Sequence, residues 1–257
     1  MNARLPGLRS LYVWRRNAIV WRHGAMWSSL LGDLFEPIIY LFGLGYGLGF
    51  YIEKVDGMPY VQFIAPGLVA MGAMWSSSFE TTYGALTRLD RQKTYDAIMM
   101  TPVNVEEIVA GDILWGATKA GIGATMMLLV TIVMGLATLP MALLCIPQAF
   151  LTGLAFGAIS MFVTGLAKSF DFFTYYFTII LSPLLLLSGA WYPLEGLPWA
   201  LRMLSSLSPL THAVRPMRDM MLGTPGASTV LSVSILFAYV FVFTIAATWV
   251  IRRRLVR

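Results

Sequence analysis

The sequence predicts an all-α membrane protein that crosses the bilayer several times. Hydrophobic residues make up 58% of the 257-residue chain, charged residues only 12%, and the mean hydropathy is +0.72. Soluble domains contain about 25% charged residues, so the charge content here is about half the usual value. Apolar runs that approach or exceed the length needed to cross a bilayer, about 20 residues, recur along the chain. We expect a single transmembrane domain over residues 1–257.

The chain begins with a predicted amphipathic interface helix over residues 5–23. Apolar residues recur there at roughly helical spacing, with arginines between them and with tryptophans suited to the headgroup layer. The alternative is an ordinary basic flank before the first span.

Six apolar segments are then predicted to cross the membrane: 27–51, 60–86, 114–139, 143–166, 172–190 and 229–251. Segment 191–212 lies between the last two and is interrupted by prolines, and its helical part is too short to span a bilayer. We predict a re-entrant external hairpin, which requires protein or a wet cavity around its backbone. A surface helix on the outer leaflet is the alternative.

The basic residues predict the orientation. With six spans both termini lie on one side, and 13 basic residues fall on that side against four on the other. Because basic loops remain in the cytosol, both termini and the polar region 88–112 are predicted to be cytosolic.

Three acidic residues fall within predicted spans, namely Asp33, Glu36 and Glu80. Ionisable residues in a bilayer are costly and usually face protein or water. Asp33 and Glu36 are three residues apart and therefore lie on one helical face. A partner or interface role and a substrate role both remain open for this pair.

Region 88–112 contains a start signal for a helix. The side chain of Asn104 can accept hydrogen bonds from the first turn, and Glu107 follows three residues later. This spacing predicts a capping box with Asn in place of Ser or Thr. We therefore expect a structured cytosolic element rather than a plain loop.

The chain lacks motifs for its own ATP chemistry. No Gly-x-x-x-x-Gly-Lys-Ser/Thr sequence is present, and the single Cys145 excludes a disulfide framework. The histidines, His23 and His212, are far apart and show no metal-ligand spacing. His212 has serines nearby in the sequence, so a structural role and a role as a catalytic base are both considered. The pattern favours a protein that moves or binds apolar cargo, without a metal site of its own.

Several segments resemble a known family. They are LFGLGYGLG at 41–49, FET at 79–81, TYDAIMMTP at 94–102, ATKAG at 117–121, LTGLAFG at 151–157, SGAWYPLEGLP at 188–198 and SPLTHAVRPMRDMMLG at 208–223. In this order and register they resemble the permease subunits of type-2 ATP-binding cassette (ABC) exporters. Within these they resemble the nodulation-protein-J group, which exports lipo-oligosaccharides.

The resemblance implies a subunit that dimerises in a bacterial inner membrane and joins two copies of a cytosolic ABC ATPase, which would bind ATP and magnesium. No cofactor in this chain and no nucleic-acid partner are expected. The family's coupling helix, which contacts the ATPase, would consist of Thr94, Tyr95, Asp96, Ala97, Ile98, Met99, Met100 and Thr101. The implied cargo is a lipid-linked saccharide, a lipo-oligosaccharide or a similar amphiphile.

Aromatic residues near the hairpin form a candidate substrate path, because sugars and lipid chains both pack on aromatic faces. They are Phe172, Tyr175, Tyr176, Trp191, Tyr192 and Trp199. An aromatic belt at the membrane surface is the alternative for these residues. For the whole chain the alternatives are a drug-efflux permease of the same family, an intramembrane lipid-modifying enzyme and a secondary carrier.

Overall fold

The computed structural model describes residues 7–52 and 54–255, without the side chains of residues 33, 34, 36 and 37. The described chain is predominantly helical, as the composition predicts. Its only regular sheet within these residues is a two-stranded antiparallel ribbon, β1 (Lys54–Val55) and β2 (Met58–Pro59). Asp56 and Gly57 form its turn in the left-handed region of the backbone.

The helices of the first half run from the N-terminus to the middle of the chain. They are α1 (Ser10–Gly24), α2 (Met26–Tyr40) with a π-helical segment (Leu41–Tyr46) and a 3₁₀ turn (Leu48–Phe50), α3 (Tyr60–Phe79) with two π-helical segments (Glu80–Gly84 and Thr87–Arg91), α4 (Thr94–Met99) and α5 (Val105–Val133).

The helices of the second half complete the bundle. They are a 3₁₀ turn (Met141–Leu144) leading into α6 (Cys145–Leu166), α7 (Asp171–Tyr175), a π-helical segment (Tyr176–Leu181), α8 (Ser182–Leu186), a 3₁₀ turn (Leu194–Gly196), α9 (Trp199–Leu207), α10 (Pro209–Leu222) and α11 (Ala227–Leu255).

Three of the described helical stretches are long and apolar enough to cross a membrane: Val105–Val133, Met141–Leu166 and Ala227–Leu255. Two shorter apolar stretches, Ile38–Phe50 and Asp171–Leu186, fall in the predicted first and fifth spans. The chain is therefore an all-α membrane protein, and the count of six spans stays a prediction.

The core forms where α3, α5 and α6 meet at small residues. A Cβ on Gly153 of α6 would lie 2.6 Å from the side chain of Ala120 and 2.8 Å from the backbone of Ala117, both on α5. Ser77 of α3 donates to the carbonyl of Gly153 at 2.6 Å. Small residues let helix backbones approach closely, and a hydroxyl satisfied between helices strengthens the contact.

Helix α1 lies against the start of α5. Val13 and Asn17 are its buried residues, and a Cβ on Gly111 would meet Ser10 O at 2.7 Å. Apolar residues on other faces of α1, among them Tyr12 and Val20, are exposed. This division fits the predicted interface helix, which begins at Ser10 within the described residues; residues 5 and 6 of the prediction lie outside them.

Three features of the structure add detail to the sequence expectations. Gly45 lies close against α3, since a Cβ on it would lie 2.7 Å from the side chain of Val61. Helix α5 begins at Val105, directly after the predicted cap residue Asn104, and residues 105–112 of the polar region form its first turns. The segment predicted as a hairpin over 191–212 is a helix pair whose second helix, α10, continues to Leu222.

Candidate functional site

We call α3 and its two π-helical segments, residues 60–91, the α3 stretch. Helix α4 is a short helix between the end of this stretch and the start of α5. It follows Lys93, whose φ of 52° places this non-glycine residue in the left-handed region. Such a conformation is uncommon for a side-chain-bearing residue and marks a sharp change of direction. The chain therefore turns abruptly into α4 rather than continuing the preceding helix.

Tyr95 anchors α4 to the helix bundle. Its side chain is fully buried, and its hydroxyl donates to the carboxylate of Asp112 on α5. Burial and the neighbouring Asp112 charge both hold the pKa of Tyr95 well above its ordinary value, so the phenol remains a neutral donor. Tyr95 is thus directed into the protein and away from any cytosolic partner.

Asp112 receives donors from three other elements. Besides Tyr95, Asn17 Nδ2 of α1 donates to Oδ1 at 2.5 Å, and Arg88 Nε donates to Oδ2 at 3.1 Å. The carboxylate has no solvent exposure. A buried carboxylate is tolerated when charge and hydrogen-bond partners compensate its desolvation, and here α1, the α3 stretch and α4 supply them.

Arg88 links Asp112 to a second acid. Its Nη1 donates to Glu80 Oε1 at 2.8 Å, and Lys119 Nζ reaches Glu80 Oε2 at 3.2 Å. Burial alone would lower the pKa of Arg88, but the charges of Asp112 and Glu80 outweigh it and raise that pKa. We call Glu80, Arg88, Asp112 and Lys119, together with Tyr95, the buried charge cluster.

The two π-helical segments after α3 carry Glu80 and Arg88. Such segments are rare and often occur at functional sites, because they alter the direction of the side chains that follow. Here the carboxylate of Glu80 and the guanidinium of Arg88, eight residues apart on the same helical stretch, come into contact. The sequence predicted Glu80 as an intramembrane acid, and the structure adds its two cationic partners.

A second set of contacts holds both ends of the α4 region. Arg254 of α11 pairs with Asp90 at 2.6 Å before α4, and Arg252 pairs with Glu106 at 3.0 Å after it. Arg9, just before α1, donates to the carbonyl of Pro102. The C-terminal helix and the interface helix therefore both hold the segment that contains α4.

The predicted cap of α5 is confirmed. The backbone N–H of Asn104 donates to Glu107 Oε2 at 2.9 Å, and the reciprocal bond to the Asn104 side chain completes a capping box. This cap fixes the start of the helix that carries Asp112 eight residues later. It thereby makes the connection between α4 and α5 rigid.

The surface of the predicted coupling segment is smaller than the eight residues suggested. Ala97, Met100 and Thr101 are exposed, and Met100 retains 89% of its accessible surface. Thr94, Asp96, Ile98 and Met99 are partly buried, while Tyr95 is inside. Any contact with a partner at this segment is therefore centred on the exposed residues at its C-terminal end.

The predicted substrate-path residues do not form one continuous surface. Phe172, Tyr175 and Trp199 are exposed, whereas Trp191 and Tyr192 are partly buried. Tyr176, the sixth predicted residue, does not lie at the surface. Tyr176 is buried, with its hydroxyl 2.8 Å from Ser160 Oγ on α6, so it is a packing residue in this subunit.

An aromatic column that the sequence analysis missed runs along α3. Trp75, Phe79 and Tyr83 stack at four-residue spacing, with ring centroids 5.7 and 5.8 Å apart. Phe177 lies nearly parallel to all three rings at 4.6–5.8 Å, and Phe170 stacks on Tyr83 at 6.1 Å. The four-residue spacing of Trp75, Phe79 and Tyr83 could have been recognised in the sequence. Their aromatic partners come from a segment distant in the sequence, so those contacts could not.

His212 belongs to a separate set of contacts. Both ring nitrogens of His212 are engaged, Nε2 with the carbonyl of Ser206 at 2.8 Å and Nδ1 with Ser232 Oγ at 3.4 Å. These contacts favour its structural role. The side chains of Asp33 and Glu36 lie outside the described ones, so their predicted roles stay predictions.

Comparison with known proteins decides the family. The model of the ABC-2 type transporter family matches residues 10–222. The chain belongs to the ABC-2 type transporter family. It is 41% identical to Nodulation protein J of Rhizobium leguminosarum bv. viciae over 257 residues, covering 99% of each chain.

Other relatives extend this likeness. The chain is 40% identical to Nodulation protein J of Rhizobium meliloti (strain 1021), over 98% of this chain and 97% of that one. It is 24% identical to the inner membrane transport permease YadH of Escherichia coli (strain K12), over 88% of each. As an ABC-2 transporter the chain is a transport permease subunit, and its family implies an ABC transporter system with an ATPase partner.

Proposed function

We propose that this ABC-2 permease exports a lipid-linked saccharide, a lipo-oligosaccharide or a similar amphiphile across the bacterial inner membrane. Two copies of the chain would form the membrane part, with six spans each and both termini in the cytosol. Two copies of a separate ATPase, holding ATP and magnesium, would supply the energy. End-to-end likeness to the Nodulation protein J chains supports this assignment of the class.

The observation that carries the cargo proposal is the aromatic column. Phe79, in the middle of it, is 48% exposed, while the neighbouring Phe177 is 9% exposed and supports it from behind. Aromatic faces bind both sugar rings and acyl chains through apolar contact. An exposed aromatic face on a helical stretch that ends at the charge cluster supports a cargo surface close to the proposed energy input.

In this proposal the coupling helix transmits the motion of the ATPase. Exposed Met100 and its neighbours would contact the ATPase, and Tyr95 would pass the displacement to Asp112 on α5. Arg88 joins the same carboxylate to the α3 stretch, which carries Phe79. A movement of α4 would thus shift α3 and α5 together, as rigid elements connected by buried contacts.

The test is transport by the assembled complex. The chain is reconstituted in liposomes with its ATPase partner, and movement of a dye-labelled acylated oligosaccharide is followed with ATP and with a non-hydrolysable analogue. The proposal expects ATP-dependent movement of the acylated form and none of the same oligosaccharide without its acyl chain. A complex that hydrolyses ATP but moves no amphiphile contradicts it.

Drug efflux is the alternative within the family. The same liposomes, given a panel of amphiphilic antibiotics in place of the saccharide, separate the two cargo classes. ATP-dependent movement confined to antibiotics would assign the chain to efflux instead.

A further inference from the structure

A cavity of about 430 Å³ lies between α1, the α3 stretch and α5. Charged and aromatic side chains line it, among them Arg16, Trp21, Glu80, Arg88 and Lys119. Gly24, at the end of α1, is exposed and also lines it, so the cavity communicates with the surface. Its volume is in the range of cavities that accept small ligands.

The charges around this cavity are unbalanced. Three cationic side chains line it, but Glu80 is the one carboxylate among its described lining residues. Glu80 already accepts from both Arg88 and Lys119. Arg16 forms no ion pair with any described carboxylate, and its Nη1 donates to the amide oxygen of Asn17 at 3.0 Å. Asp112, which does not line the cavity, pairs with Arg88 at 3.1 Å, so three cations face two carboxylates and an excess of one positive charge remains.

A second observation points to a missing acceptor. Trp21 Nε1 is buried and has no hydrogen-bond partner in the described structure. Its ring is fixed edge-on against Trp115 of α5, with centroids 5.7 Å apart. Leaving a buried N–H unsatisfied is energetically unfavourable, so a ligand that supplies an acceptor would remove that cost.

The environment of Arg16 supports the same conclusion. The pKa of Arg16 lies below its ordinary value because burial and then the positive charge of Arg88 lower it more than the negative charge of Asp112 raises it. Burial and the Arg88 charge both penalise its charged form. An anion in the cavity would compensate the crowded cations, and guanidinium groups bind phosphate-type oxyanions through paired N–H donors.

We propose that this cavity binds the phosphate-type oxyanion of an anionic amphiphile, such as a phospholipid of the cytosolic leaflet. The exposed apolar side chains of α1, including Val20 at the cavity itself, provide a surface along which an acyl chain can lie. Arg16 and Trp21 supply the donors. The site does not depend on the identity of the exported cargo.

The experiment measures binding by native mass spectrometry of the full-length chain purified in a neutral detergent. Three probes are compared: phosphatidylglycerol, uncharged diacylglycerol and inorganic phosphate as a competitor. The central variant is Arg16→Gln. The matched control is Arg15→Gln, an exposed arginine of the same helix that does not line the cavity.

We expect the wild type to bind phosphatidylglycerol in preference to diacylglycerol. Arg16→Gln should weaken phosphatidylglycerol binding about tenfold or more, as the loss of a charge-assisted hydrogen bond predicts, and Arg15→Gln should not. Trp21→Phe keeps the ring and removes the donor, so it should weaken binding as well. It tests the site independently should Arg16→Gln fold poorly.

The outcomes separate the sources of the oxyanion. Competition by inorganic phosphate with the same Arg16 dependence supports a site that recognises the oxyanion alone. Retention of phosphatidylglycerol against inorganic phosphate supports a lipid site. Equal losses in Arg16→Gln and Arg15→Gln, or equal binding of diacylglycerol, overturn the proposal. Because no nucleotide and no ATPase are present, the result is independent of the proposed export function.

Discussion

The hydroxyl of Tyr95 donates to the buried carboxylate of Asp112, and this contact joins the six-residue helix α4 to the 29-residue helix α5. Arg88 and Asn17 bind the same carboxylate from the α3 stretch and from α1. Four separate elements therefore meet at one side chain. In the proposed transporter, this is where a displacement of the coupling helix enters the membrane bundle.

The first prediction concerns pH. The pKa of Tyr95 is raised in the folded protein, so its stabilising contact is complete below the unfolded value of 10.0 and is lost only as pH rises through the higher folded value. The difference in Tm between wild type and Tyr95→Phe should therefore stay constant from about pH 6 to about pH 9. A difference that disappears within this range contradicts the buried, neutral phenol.

The second prediction concerns Arg88. Replacing it with Gln leaves Glu80 with Lys119 alone and removes the charged partner of Asp112. Breaking a buried ion pair from one side costs about 3–5 kcal/mol, so Arg88→Gln should unfold at a clearly lower temperature in detergent.

Arg91 provides the matched control for that substitution. It is exposed and lies over the Phe170 ring at 4.7 Å, a cation–π contact of about 0.5–1 kcal/mol. Arg91→Gln should therefore change the unfolding temperature little. Equal effects of the two substitutions would show that the charge cluster is not a source of stability.

Local features of the site could be predicted from the sequence. The capping box of Asn104 and Glu107 depends on residues three apart, and the structure confirms it. The helical character of the long spans followed equally from local composition. These features can be predicted from the sequence because the interacting groups are neighbours along the chain.

The charge cluster could not be predicted in the same way. Asn17 and Asp112 are 95 residues apart in sequence, and Glu80 and Lys119 are 39 apart. No sequence periodicity indicates which helices, distant from each other in the sequence, come into contact in the fold. For the same reason Tyr95 was predicted as a partner contact, since its burial depends on the fold of α5 and not on its own segment.

The third prediction concerns the exposed end of the coupling helix. Met100 is the most exposed large apolar side chain of the predicted coupling segment 94–101. Met100→Glu should therefore prevent recovery of the ATPase in a pull-down. It should not lower the unfolding temperature. Burying an unpaired carboxylate at an interface is strongly unfavourable. Met100→Leu conserves the apolar volume and should recover the ATPase normally. Normal recovery with Met100→Glu would place the ATPase contact elsewhere.

The fourth prediction concerns the aromatic column. Phe79→Ala removes its exposed central ring and should lower transport of an acylated oligosaccharide up to about tenfold, because an aromatic contact contributes about 0.5–1.5 kcal/mol beyond its buried area. Phe241→Ala on α11 removes a ring of similar exposure, 64% against 48%, outside the column. Similar losses in both variants would argue against cargo contact at Phe79.

The most direct test of the account is the ratio of cargo transported to ATP hydrolysed in the reconstituted complex with Tyr95→Phe. This variant keeps the ring and removes only the donor to Asp112, while Tyr12→Phe on the exposed face of α1 is its control. We predict that ATP hydrolysis continues and that the ratio falls at least about fivefold, the lower range of a coupling free energy between sites. An unchanged ratio in a stably folded Tyr95→Phe complex would contradict transmission through Tyr95 and Asp112.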